Sequence, residues 1–287
     1  MKDIVGVIVA AGYGTRFLPI TRVVPKELLP LVDRPAIDFI VEELVNAGVS
    51  RIVVITSRRK KSLDDWFDHD AELEAVFTRE GATQKLAKAQ PPKVPVQFVR
   101  QTEMAGTGDA LLRIRDAVGD HPFIVAYPDD IFGEPNCSAQ LIETWRETGK
   151  SVMSAMDLTG QDVSRYGVLD AAPAGSHFNV KAIVEKPPKG TEPSHLISLG
   201  RYLYTPAIFE HLDAARAKHT TGEFYPTDAV NTLAAAGGVV ARVVDAPRWD
   251  TGVPLGYVQA MIDVALRRDD IGGEVRAWLT ERLAQPD

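Results

Sequence analysis

An apolar, β-branched run, Ile4-Val5-Gly6-Val7-Ile8-Val9-Ala10, opens into Ala11-Gly12-Tyr13-Gly14-Thr15-Arg16, and no other segment constrains the chain as much. The run reads as a first strand. Glycines directly after a strand lie at the carboxyl edge of a sheet, where open α/β folds bind ligands. Gly12 and Gly14 lack the Cβ that would hold the backbone off a phosphate, and their N–H groups can donate to an anion. A tight turn without a ligand would use the same residues. The spacing excludes two familiar loops: G-x-x-x-x-G-K-[ST] is absent, and G-x-G-x-x-G fails at Phe17.

Beyond the loop, short apolar runs alternate with helical patterns. Pro35 to Ala47 predicts an amphipathic helix with Ile37, Ile40, Val41 and Leu44 at helical spacing and Gly48 as its stop. Strands are predicted at 51–56, 96–100, 123–127, 152–157, 182–184 and 239–244, and C-terminal helices at 255–266 and 275–283. The charged stretch 62–88 is helical, its two apolar stripes (Leu63, Trp66, Phe67 and Leu73, Val76, Phe77) read as core, and prolines at 91, 92 and 95 close it. The architecture expected is a Rossmann-like α/β fold, a mainly parallel sheet covered by helices, in one domain over 1–287 with a helical insertion at about 62–95 and C-terminal helices at about 255–284.

A net charge of -7 argues against a general nucleic-acid binder, which needs a basic face, but leaves room for a small anion held by a few local cations. Cys137 is the single cysteine, so no intrachain disulfide or cysteine zinc site is expected. No apolar run approaches the ~20 residues of a membrane span, and the N-terminal run is too short for a secretory signal. A cytoplasmic protein is expected.

Two cations turn the glycine loop towards a phosphate. Arg16 ends it, and Lys26 follows in Val24-Pro25-Lys26-Glu27-Leu28-Leu29-Pro30, too proline-bounded for a regular helix. A guanidinium grips phosphate oxygens in pairs, and an ammonium adds a movable charge. Asp129 and Asp250 each follow a strand, and paired carboxylates near a triphosphate suit Mg²⁺, which binds one or two carboxylates plus phosphate oxygens and water. Asp130 is read as a bystander or a cap for the next segment, although a register error of one would exchange it with Asp129. Glu185-Lys186-Pro187 joins an acceptor for hydroxyls to a cation at a further strand end. Gly106-Thr107-Gly108-Asp109 reads as a helix start with Asp109 as N-cap.

Ala-Ala-Gly-x-Gly-Thr-Arg-Phe-Leu-Pro followed by Pro-Lys-Glu-Leu-Leu-Pro resembles the signature of the sugar nucleotidyltransferases, or nucleotide-sugar pyrophosphorylases. Tyr166-Gly167-Val168, Val184-Glu185-Lys186-Pro187, Gly200-Arg201-Tyr202 and Leu255-Gly256-Tyr257-Val258-Gln259-Ala260 extend the likeness, through nearly the whole length, to the bacterial UTP–glucose-1-phosphate uridylyltransferases. The resemblance implies transfer of a uridylyl group from UTP to glucose 1-phosphate, with UDP-glucose and pyrophosphate as products and Mg²⁺ as cofactor. It implies Arg16, Lys26 and Lys186 as catalytic residues, and Ala11, Gly12, Gly14, Thr15, Gln101 and Gly106 around the nucleotide. Gly167, Glu185 and Lys186 would meet the sugar phosphate, Asp129 and Asp250 the metal. Related enzymes are dimers or tetramers, so a homo-oligomer is expected. The same motifs would serve a thymidylyl- or guanylyltransferase, or a non-catalytic sensor of nucleotide sugars, though intact Arg16, Lys26, Asp129, Lys186 and Asp250 speak against the last. Two departures stand out: Asp109 occupies a position that is usually histidine, and Phe224-Tyr225-Pro226 replaces Ile-Gln-Leu.

Overall fold

The computed structural model describes residues 3–284. Its main sheet has nine strands: β1 (Val5–Val9), β2 (Arg51–Thr56), β3 (Val96–Arg100), β4 (Phe123–Ala126), β5 (Ser151–Asp157), β6 (Gly167–Ala174), β7 (His177–Glu185), β8 (Leu196–Tyr204) and β9 (Val239–Val243). The order is β3-β2-β1-β4-β8-β5-β9-β7-β6, with an added β8–β6 pairing. The first four strands are mutually parallel, as expected. The remainder corrects the expectation of a mainly parallel sheet. β8 runs antiparallel to β4, β5 and β6, and β7 runs antiparallel to β6 and β9, leaving β5–β9 as the parallel pair in that half. The cause is connection length. Only Gly175 and Ser176 separate β6 from β7, and a two-residue link can return the chain only as a hairpin.

Strand alternation sorts the core into two layers. Val5, Val7 and Val9 face one side with Val53, Ile55, Phe123 and Val125, while Ile8, Ile52, Val54 and Ile124 face the other. Helix α1 (Ala36–Asn46) buries Ile37, Ile40, Val41 and Leu44 on the second side, beside Leu63 and Phe67 of α2 (Lys61–Phe67). Helices α3 (Ala71–Arg79) and α4 (Thr83–Ala89) complete the insertion, but neither contains a buried residue. The Leu73 stripe is therefore not core, and Leu73 itself is exposed. Helices α5 (Thr107–Leu112), α6 (Arg115–Val118), α8 (Ile208–Lys218) and α9 (Thr227–Ala235) supply residues to the first layer, and α7 (Cys137–Thr148) to the second. Two C-terminal helices, α10 (Pro254–Leu266) and α11 (Gly272–Ala284), lie where helices are predicted. Among the described residues, no helix is long and apolar enough to cross a membrane.

One ionic contact runs through the second layer. Arg201 of β8 is fully buried, and its Nε and Nη2 donate to the two carboxylate oxygens of Glu43 on α1 at 2.9 and 2.5 Å. Ser138, at the start of α7, donates to Glu43 Oε1 through N–H and hydroxyl at 3.0 and 2.5 Å. Arg201 Nη2 also reaches the Asp130 carbonyl at 3.1 Å. Breaking such a pair from one side strands a buried charge, which costs about 3–5 kcal/mol. Urea unfolding of Glu43→Ala is expected to show a loss of that size, and the double variant Glu43→Leu/Arg201→Met should recover most of it. Equal losses in single and double variants would contradict this account.

Candidate functional site

The glycine loop leaves β1 as Ala10 N–H donates to the Ile55 carbonyl at 2.8 Å. Gly14 is left-handed at φ 68°, which an L side chain adopts only with strain, and Thr21 Oγ1 donates to its carbonyl at 2.8 Å. Short 3₁₀ turns follow at Thr15–Phe17, Ile20–Arg22 and Lys26–Leu28. Thr15 thus opens a turn, and Arg16 projects from it, Nη1 donating to the Gly252 carbonyl at 3.3 Å. Ala11 and Gly12 line a small cavity whose floor includes Lys60. Lys60 and Glu27 form a buried pair at 2.6 and 2.8 Å, and burial holds the Lys60 ammonium below the ordinary lysine range against the pull of Glu27. Residue 27 is thereby locked inward, and the neighbouring Lys26 ammonium ion-pairs with Asp129.

Asp129 and Asp250 converge. A Cβ built on Gly252 would lie 2.9 Å from Asp129 Oδ2 and 3.1 Å from Asp250 Oδ1. The approach is fixed by backbone: Thr251 donates to the Asp129 carbonyl through N–H at 2.7 Å and hydroxyl at 3.0 Å, and Gly252 N–H donates to Asp250 Oδ1 at 3.0 Å. Asp130 is separate. It opens the short strand Asp130–Phe132, which pairs with Arg248–Asp250, and Arg248 Nε donates to its Oδ1 at 2.5 Å. Burial pushes its carboxyl up against the opposing pull of Arg248 and Arg201. It neither caps a helix nor joins the Asp129–Asp250 approach.

Gln101 is buried at the end of β3, where its Nε2 donates to the Gly106 carbonyl and to Asp109 Oδ2, both at 3.0 Å. It lines a cavity of about 460 Å³ with Tyr13, Ser57, Arg59 and Arg100. Tyr13, Ser57 and Arg59 also line the cavity of the glycine loop, so the two are contiguous. The prediction of Asp109 as N-cap fails: α5 begins three residues earlier than that cap implies, Gly106 is its cap, and the Asp109 side chain turns instead to Gln101 and Arg113.

Gly167 and Glu185 are register partners at the open ends of β6 and β7, and a Cβ on Gly167 would lie 2.9 Å from Glu185 Oε2. Both line a cavity of about 330 Å³ with Tyr127, Asp130, Thr227 and Arg248. Lys186 follows at φ 47°, a left-handed conformation unusual for lysine, with its N–H donating to the Tyr166 carbonyl at 3.0 Å. No hydrogen bond or ion pair among the described residues joins the Lys186 side chain to Asp129 or Asp250.

This arrangement puts a glycine loop, two cations and two converging carboxylates on one sheet edge, flanked by two cavities. The family model for nucleotidyl transferase matches residues 5–266. The chain belongs to the nucleotidyl transferase family. It is similar to UTP–glucose-1-phosphate uridylyltransferase 2 of Staphylococcus saprophyticus, 40% identical over 273 residues and 94% of each chain. To the UTP–glucose-1-phosphate uridylyltransferase of Bacillus subtilis it is 37% identical over 269 residues and 92% of each. Among solved structures, UTP-bound UGPase from Acinetobacter baumannii superposes with a TM-score of 0.90 at 31% identity, covering 98% of this chain and 99% of that one.

Family motifs do not reveal every residue that shapes this edge. Lys60 has no local signal, because its partner Glu27 is distant in sequence. Phe224 is the larger omission. It is buried, its carbonyl accepts from Gly108 N–H at 2.8 Å and its N–H donates to the Ala105 carbonyl at 2.7 Å, clasping segment 222–228 to the loop before α5. Gly106, at φ 100°, allows the approach, since a Cβ there would sit 2.6 Å from Phe224 N. Gly106→Ala should therefore destabilise more in equilibrium unfolding than Gly160→Ala. The latter also changes a positive φ, 84°, but meets open space, so it should cost only the roughly 1–2 kcal/mol of left-handed strain. Equal effects would deny the clasp.

Proposed function

We propose that this nucleotidyl transferase moves a uridylyl group from UTP to glucose 1-phosphate, releasing pyrophosphate and forming UDP-glucose. The observation that carries the reading is the convergence of Asp129 and Asp250 at Gly252, between Arg16 and Lys26. The likeness to the two uridylyltransferases and to the UTP-bound UGPase supports the choice of base and sugar.

In this reading Ala11, Gly12, Gly14 and Thr15 receive the triphosphate, and Gln101 and Gly106 receive the base. Gly167 and Glu185 take the sugar, and Lys186 its phosphate. A phosphate oxygen of glucose 1-phosphate attacks the α-phosphorus in line; the new P–O bond forms as the bond to the β-phosphate bridging oxygen breaks. Positioning and charge neutralisation suffice for this chemistry, so no protein nucleophile is required. Arg16 and Lys26 offset charge that develops on the transferring phosphate.

The residues fit a divalent ion, Mg²⁺ in this proposal. Asp129 and Asp250 offer hard oxygen donors towards one point, and Mg²⁺ takes its other ligands from phosphate and water. When bound, it supplies charge neutralisation of the triphosphate. Lys26 ion-pairs with Asp129, so the carboxylate that would hold the ion also orients the ammonium that would meet the phosphate.

The reading further places one nucleotidyltransferase domain over the chain, in the cytoplasm. Assembly into a dimer or tetramer is included, supported by Trp278 of α11, which is 61% exposed.

Pyrophosphate release from UTP, dTTP, ATP and GTP with several sugar 1-phosphates tests the substrates, and inactivity with UTP plus glucose 1-phosphate would overturn them. Arg16→Ala should lower kcat by roughly 10²–10³, the usual loss of one charge-stabilising donor. Asp129→Ala and Asp250→Ala should each remove most Mg²⁺-dependent turnover, and unchanged turnover in both would refute the metal assignment.

A further inference from the structure

We infer that Asp109 is a specificity-determining positioning residue: it fixes the Gln101 side-chain amide so that its oxygen faces the nucleobase, selecting bases that carry an imide N–H. The inference rests on the proposal that the Gln101 cavity holds the base of UTP.

The argument is one of hydrogen-bond inventory. A glutamine amide has two N–H donors at one end and an acceptor at the other, and its orientation follows from its partners. Both Nε2 protons of Gln101 are engaged, one by the Gly106 carbonyl and one by Asp109 Oδ2, each at 3.0 Å. Turning the amide over would set its oxygen against a carbonyl and a carboxylate, with no donor between them. Arg113 keeps the Asp109 carboxylate in place and ionised, Nε donating to Oδ2 at 2.8 Å and Nη2 to Oδ1 at 3.3 Å. Although burial raises the Asp109 carboxyl, hydrogen bonds from Arg113 and Gln101 leave it lowered overall. The backbone of Gln101 is equally fixed, its N–H donating to the Thr56 carbonyl at 2.8 Å.

The side chain therefore offers the cavity only Oε1, to which no donor among the described residues is bonded. Uracil and thymine present N3–H to such an acceptor. Cytosine presents a lone pair at N3 and is repelled. Selection of this kind works by leaving the wrong partner unpaired, which discriminates strongly in a buried site. Without Asp109 the amide loses one of the two acceptors that orient it, and the flipped form, with Nε2 towards the base, becomes accessible.

The test compares UTP, dTTP and CTP as co-substrates of glucose 1-phosphate in the wild type, Asp109→Ala and Asp109→His. For Asp109→Ala the UTP:CTP ratio of kcat/KM should fall at least tenfold, mostly through a higher KM for UTP and a lower KM for CTP, while the UTP:dTTP ratio stays unchanged. Asp109→His, which can accept from Nε2 through an imidazole lone pair, should keep most of the UTP:CTP ratio. A uniform fall in kcat for all three nucleotides, or an unchanged UTP:CTP ratio in Asp109→Ala, would overturn the inference. Thermal unfolding of each variant reports folding separately. Wild-type inactivity with UTP would instead refute the substrate proposal, so the two failures are distinguishable.

Discussion

The candidate site depends on a buried guanidinium. Arg201 lies in the middle of β8, where the sheet changes from parallel to antiparallel, and it faces a layer that is otherwise largely apolar. A charge there is tolerated only because Glu43 meets it with both oxygens, while the Asp130 carbonyl takes a further proton. Those partners come from α1 and from the turn after β4, and Ser138 adds the first turn of α7. The pair thus sets the height of the Asp129-Asp130 turn above the sheet. Asp129 needs that placement to meet Asp250, whose strand Arg248–Asp250 pairs with Asp130–Phe132. Replacing the pair by apolar residues could preserve stability, but it would remove one constraint on the turn, leaving the Thr251 and Gly252 contacts to hold the two carboxylates together.

What was legible in the sequence was local. The strand–glycine–arginine junction announces itself because strand propensity, turn chemistry and charge fall within a few consecutive residues, and β1 and the loop lie where they were predicted. Strands 51–56 and 96–100 were legible for the same reason. Features that depend on distant partners were not. β8 and β6 carry no clean alternation, since β8 is nearly all buried and contains Gly200 and Arg201, so neither was predicted. The Lys60–Glu27 pair and the Arg201–Glu43 pair join residues whose separation in sequence gives no periodic signal. Asp109 was read as a cap from local rules, and tertiary competition from Gln101 and Arg113 overrode that reading.

The two departures from the family pattern meet in space. Phe224 is wedged against Gly106 and Gly108, its ring 5.4 Å from His219 and 5.7 Å from the Arg216 guanidinium, while Pro226 and Thr227 line the cavity of Gly167 and Glu185. Segment 222–228 therefore belongs to both sides of the site, not to the sugar side alone. Proline at 226 costs the backbone little, because it stands at the N-terminal cap of α9, where an N–H would have no helical partner, and its carbonyl still accepts from Val230 at 2.9 Å. A bulkier aromatic at 224 and a stiffer entry to α9 together make the clasp rigid.

The clasp joins the segments that border the two cavities. Tyr127 lines the Glu185 cavity, and burial pushes its phenol up to about 12, so it stays protonated at neutral pH. Under the proposed function, the base at Gln101 and the sugar beside Glu185 would lie on either side of this clasp. Substitutions at 109 and at 224–226 bear on the same unit, which makes their effects on selectivity non-additive.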